Sequence, residues 1–145
     1  RLNTFLFCFK LPSNKLGEKM SFESDEKKLK KGMEVVEKLN FLSKAGSAIS
    51  DDFRAHTIEN LFGTVWARPG LEIEERSMIT LASLIALNRE NELKLHFRGA
   101  RNLGFTKEKL EEIIFHLAHY AGWPNAVSSS NVLAQVWQEM DEEKD

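Results

Sequence analysis

The strongest constraint on the fold lies in "LEEIIFHLAHYA", residues 110–121, where Leu110, Ile113, Ile114, Leu117, Ala118 and Ala121 recur at i, i+3, i+4, i+7, i+8 and i+11. Only a helix gathers those positions into one stripe, so the segment is expected to be an amphipathic helix buried along one side. One helix cannot bury its own stripe, and no segment shows the alternation of a strand, so the cover must come from other helices. The flanking residues agree. Gly104 suits the left-handed position after a helix, Thr106 suits an N-cap, and "GWP" stops the run. Pro124 then fits the first turn of a last helix, with Ala126, Leu133, Val136, Trp137 and Met140 inward before the acidic "DEEKD" tail.

The upstream segments read the same way. Ser24, followed by Asp25 and Glu26, predicts an N-cap, and Leu29, Met33, Val36 and Leu39 recur at helical spacing until Gly46. Ser50 with Asp51 and Asp52 predicts a second helix that carries Phe53, Ile58, Leu61 and Phe62 and ends at Gly63, leaving "TVWARPGLE" as a loop around the Pro69-Gly70 turn. Residues 73–88, "IEERSMITLASLIALN", are apolar nearly all round and predict the most buried helix; a further helix spans about 90–103. The expectation is an all-α, compact bundle of about six helices joined by short connections, one domain over 20–145. Residues 1–19 carry apolar residues without helical period and are expected to be an extension outside that domain. Their Phe5 to Phe9 core is shorter than the roughly 7 residues of a secretory signal, and no small-residue cleavage site follows it.

Charge removes several function classes. Twenty Lys+Arg face twenty-two Asp+Glu, so the surface has no basic footprint for nucleic acid. No apolar run reaches the roughly 18 residues of a membrane span. The single cysteine, Cys8, allows neither an internal disulfide nor a cysteine-based metal cluster, and fits a reducing, cytoplasmic setting. Small molecules and copies of the chain itself remain as partners.

"RENELKLHFRG", residues 89–99, carries the chemistry. At about 100° per residue, Lys94, Arg98 and Arg101 share one side and read as the solvent stripe. Arg89, Glu92, His96, Gly99, Ala100 and Leu103 share the other, so acid, base and cation point along the face that packs. A histidine on such a face is more often a core residue than a catalyst, and Glu92 to His96 at i, i+4 is compatible with a local hydrogen bond. Burying the three together is costly unless they neutralise one another or face a polar cavity, which makes them functional candidates. His116 and His119 fall away from the 110–121 stripe and read as an exposed pair. Tyr120 and Trp123 suit either an aromatic wall or core filling. The helix start around Asn125 to Val127 offers N–H groups to an anion, as any helix start does, and "SSS" at 128–130 resembles no nucleophile elbow.

The pieces "RS" before an apolar helix, "ALNR", "ELKLH" and "YAGWPNA" together resemble the carboxymuconolactone decarboxylase family over about residues 50–137. The resemblance implies an alkyl hydroperoxidase D-like helical domain that assembles into homo-oligomeric rings, a hexamer or trimer, with sites near subunit contacts. The superfamily's thiol branch carries Glu-x11-Cys-x2-Cys-x3-His. With His96 as the last residue, the other three positions are Ser77, Arg89 and Glu92, so thiol peroxidase chemistry lacks its thiolates. The decarboxylase branch is similar to "ALNRENELKLH", which implies catalytic roles for His96 and Glu92 and a carboxylate clamp for Arg89. His119, Tyr120 and Trp123 would add a substrate-contacting wall bulkier and more polar than usual. The expected reaction is cofactor-free and metal-free decarboxylation, or related acid/base chemistry, on a small carboxylated lactone or keto acid, with His96 shuttling the proton and Glu92 raising its basicity. A family member that binds a small anion without turnover is the alternative.

Overall fold

The computed structural model describes residues 25–41 and 50–143. The extension 1–19, Cys8, Ser24 and Gly46 lie outside them. Within them the chain forms six α-helices and one π-helical segment: α1 (Glu26–Leu39), α2 (Asp51–His56) running directly into the π-helix Thr57–Trp66, α3 (Ile73–Ala86), α4 (Glu90–Asn102), α5 (Lys107–Ala121) and α6 (Trp123–Glu142).

The helix starts follow side-chain chemistry. Asp25, one residue later than the expected Ser24, caps α1 by accepting from the N–H groups of Lys27 and Lys28. Ser50 accepts from Phe53, and Thr106 from Lys109. At α3, Glu72 and Glu75 form a reciprocal box, with Glu72 N–H donating to Glu75 Oε2 at 2.7 Å. α1 ends earlier than Gly46 suggested, because Asn40 takes the left-handed conformation (φ 54°) just after Leu39.

Gly63 does not end the second helix, which runs on to Trp66. Its purpose is close approach: a Cβ there would stand 2.0 Å from Lys28 O, and one on Gly32 would stand 2.0 Å from Ile58 O. The glycine pair lets α1 and the π-helix pack backbone to backbone. As a result Ile58, Phe62 and Trp66 share one buried face, and the expected loop begins only at Ala67.

Two apolar clusters result. Leu81 and Ile85 of α3, Leu93, Phe97 and Ala100 of α4, Leu110, Ile114 and Ala118 of α5, and Ala126, Val132, Leu133 and Val136 of α6 make the larger one. Val35, Val36, Leu39 and Phe41 pack with Ile58, Phe62 and Trp66 in the smaller one. Helix α4 lies between them, and Leu103 at its end packs against both.

Two expectations about helix faces fail. Helix α3 is not the most buried: only Ser77, Leu81 and Ile85 are fully covered, while Ile79 (56%) and, just past its end, Leu87 (64%) stand exposed. Its second apolar side has no cover among the described residues. Arg98 and Arg101 are likewise not a solvent stripe. Arg98 donates to Glu139 at 2.6 Å and Glu143 at 3.0 Å, and Arg101 pairs with Asp141, donates to Trp137 O at 3.0 Å and lies 4.3 Å over the Trp137 ring. A charged stripe reads as wet on a wheel, yet α6 brings acids to meet it.

Candidate functional site

Helix α4 positions the three candidates through its own start. Arg89 is its N-cap, Glu92 lies in its first turn, and His96 follows one turn later. Arg89 and Glu92 are exposed, so of the three only His96 occupies packed space in the isolated chain. The expectation that all three point along the packed face holds only for His96; among the described residues no neighbouring element covers Arg89 or Glu92.

His96 enters the seam where the smaller cluster meets α4. Phe41 meets its ring edge to face, centroids 5.2 Å apart at 82°, and Trp66 lies 6.4 Å away at 33°. Phe62 continues the aromatic layer, 6.1 Å from Phe41 and 5.7 Å from Trp66. Nδ1 of His96 is buried and has no hydrogen-bond partner among the described residues. Burial in this apolar slot pushes the imidazole down to a pKa of about 4, against the weaker upward pull of the Glu92 carboxylate. The expectation that Glu92 raises the basicity of His96 is therefore right in sign and overruled in outcome.

Phe41 and Trp66 were not legible as site residues. Trp66 had a signal, since Ile58, Phe62 and Trp66 follow one another at i, i+4, but taking Gly63 as a stop hid it. Nothing local marks Phe41.

His119, Tyr120 and Trp123 are not brought to His96. His119 stands edge to face with Phe115 (5.8 Å) and with Trp123 (5.9 Å), and Tyr120 lies over His116 at 4.9 Å. The row is open to solvent, Tyr120 by 78%. Asn125 spends its side chain on Ala86 O and Ala121 O, tying the start of α6 to the ends of α3 and α5. A surface recess of about 340 Å3 lies on another side of Trp66, between Lys31 and Lys38 of α1 and Arg68; Arg89, Glu92 and His96 do not line it. Among the described residues no group of three or more His, Cys, Asp or Glu is disposed to hold a metal ion, and no helix is long and apolar enough to cross a membrane.

An acid, a fixed cation and a dry imidazole on successive turns can receive an anion at the exposed end and exchange a proton at the buried one. Residues 51–135 match the sequence model of the carboxymuconolactone decarboxylase family. The chain is 34% identical over 123 residues, 81% of its length and 92% of the relative's, to the 4-carboxymuconolactone decarboxylase of Acinetobacter baylyi. It is 39% identical over 79 residues, 54% of its length and 55% of the relative's, to a nitrosuccinic acid decarboxylase of Metarhizium robertsii. An uncharacterised 15.0 kDa protein of Paracoccus denitrificans is 29% identical over 91 residues, 61% of this chain and 68% of that one.

Proposed function

The chain belongs to the carboxymuconolactone decarboxylase family, and from that premise we propose that it is a cofactor-free decarboxylase of a small carboxylated lactone or keto acid. Likeness to the Acinetobacter decarboxylase over most of both chains carries the reading. The two relatives named as decarboxylases narrow the chemistry. Loss of CO2 from a carboxymuconolactone leaves a carbanion delocalised onto a carbonyl oxygen, and loss from a nitro acid leaves one delocalised onto the nitro group. Both demand carboxylate binding, stabilisation of charge on oxygen, and a proton for carbon.

The residues supply these in turn. Arg89, exposed at the start of α4, binds a substrate carboxylate through its guanidinium fork, helped by the positive end of the helix dipole. His96 is uncharged in the free protein. An anion arriving beside it favours the imidazolium, so the ring takes a proton from solvent on binding. The carbon–carboxyl bond then breaks, CO2 leaves, and the electron pair passes to the oxygen acceptor. The imidazolium returns its proton to carbon and becomes neutral again, with Glu92 steadying its transient charge. One solvent proton is consumed and one CO2 released.

His119, Tyr120 and Trp123 complete the wall between subunits: a ring assembly, hexamer or trimer, covers the exposed row on α5 and α6 and the open side of α3. The test is CO2 release from 4-carboxymuconolactone and from nitrosuccinate. His96→Gln is expected to lower kcat by roughly 100-fold or more, and Arg89→Ala to act mainly on KM. Full activity in His96→Gln sinks the assignment of the proton carrier, and no turnover of either acid sinks the decarboxylase.

A further inference from the structure

We propose that Phe41 and Trp66 are positioning residues for His96, two aromatic walls from outside α4 that hold its ring in a dry slot and so decide when it carries a proton. The inference rests on the assignment of His96 above and deepens it, because it names what controls that residue.

Three observations support it. The two walls meet the imidazole from two different elements, the π-helix and the chain just after α1, at centroid distances of 6.4 and 5.2 Å. Phe41 and Trp66 are themselves buried, at 5% and 8% exposure, so each presents an apolar, solvent-shielded ring to His96, which is left half-buried. Their seating is built in: a Cβ on Gly99, one turn after His96, would stand 2.6 Å from the Phe41 ring, so glycine at this position lets Phe41 lie flush on α4.

The consequence is electrostatic. An imidazolium in the slot loses hydration and gains no partner for Nδ1 among the described residues. The field that reaches the ring is that of Glu92 on α4; the π-helix, whose buried carboxylate is Glu59, and the end of α1 meet the ring with the uncharged faces of Trp66 and Phe41. With a pKa of about 4, only about one His96 in a thousand is charged at pH 7. The free protein therefore holds no ready acid, and His96 takes its proton from solvent only when the anionic substrate binds. Opening either wall admits water and dissolves that coupling.

Histidine-selective carbon-13 labelling gives a readout independent of turnover. The chain has four histidines, and His96→Gln identifies the resonance of His96. In the intact chain it is expected to titrate near pH 4. Trp66→Leu and Phe41→Leu are each expected to move it upward by about one pH unit or more, a tenfold rise in the charged fraction at pH 6. Trp66→Phe, which keeps an aromatic wall, should return it to within a few tenths of wild type. Far-UV circular dichroism selects the variants that keep their helices, and the two leucine variants open the slot at two different walls. With substrate, the acid limb of the kcat/KM profile should rise in the leucine variants together with the NMR midpoint. An unchanged midpoint in a folded leucine variant overturns the proposal. A midpoint that moves while no acid is decarboxylated by any form upholds the slot and rejects the decarboxylase reading instead.

Discussion

Replacing Gly32 by alanine sets two physical expectations against each other. On helix propensity alone, glycine to alanine inside α1 should stabilise the protein by up to about 1 kcal/mol. The tertiary structure reverses the sign. The new methyl would stand 2.0 Å from the carbonyl oxygen of Ile58, 1.4 Å short of the 3.4 Å at which ordinary contact begins, and 3.0 Å from Gly63 N. These neighbours are backbone atoms, so no rotamer change relieves the clash; the two helices must part along the segment that also seats Val35, Val36 and Leu39. Overpacking costs about 1–3 kcal/mol and more where backbone must move, which leaves a net destabilisation of about 2 kcal/mol after the propensity gain. Urea unfolding followed by far-UV circular dichroism measures it, with exposed Lys31→Ala in the same helix as the control for propensity. A Gly32→Ala protein as stable as wild type, or more so, would refute the backbone contact and with it the placement of the π-helix. Adding Gly63→Ala to Gly32→Ala should cost less than the two single losses together, because both methyls open the same gap.

The remaining predictions concern pH, charge and assembly. Because the folded protein holds His96 near pH 4 while the unfolded chain releases it near 6.5, the unfolded state binds more protons between those values; the contribution is fully present above about pH 6.5 and is lost as pH falls towards 4. Between pH 7 and pH 5 it amounts to about 2 kcal/mol, read as the difference in acid sensitivity between wild type and His96→Gln in urea titrations; equal sensitivity would contradict it. Arg98→Ala, which cuts α4 from Glu139 and Glu143, should cost about 1 kcal/mol and cost less in 1 M salt, since the two carboxylates are 40% and 47% exposed; a loss unaffected by salt would mean that the aliphatic stem of Arg98 carries it. Light scattering should find a trimer or hexamer, and Trp123→Asp should shift it towards smaller species; a wild-type monomer at micromolar concentration would remove the subunit wall assigned to His119, Tyr120 and Trp123.

Local pattern was enough for much of this protein. The 110–121 stripe, the Thr106 cap, Gly104 (φ 88°) and Pro124 each behave as side-chain and backbone chemistry within a few residues requires, so the all-α class and the order of helices were determined before any contact was known. That Glu92 and His96 lie one turn apart on one helix was legible for the same reason. What a neighbour does was not legible. Gly63 reads as a stop on its own and is a crossing point because Gly32 faces it. Arg98 and Arg101 read as wet, and are held by the acids of α6. His96 reads as a packed candidate base whose basicity Glu92 raises; Phe41 and Trp66, distant in sequence, bury its ring and lower its proton affinity instead. Periodicity is a property of one helix, whereas burial, and the proton affinity that depends on it, belongs to the space between helices and is decided only when they pack.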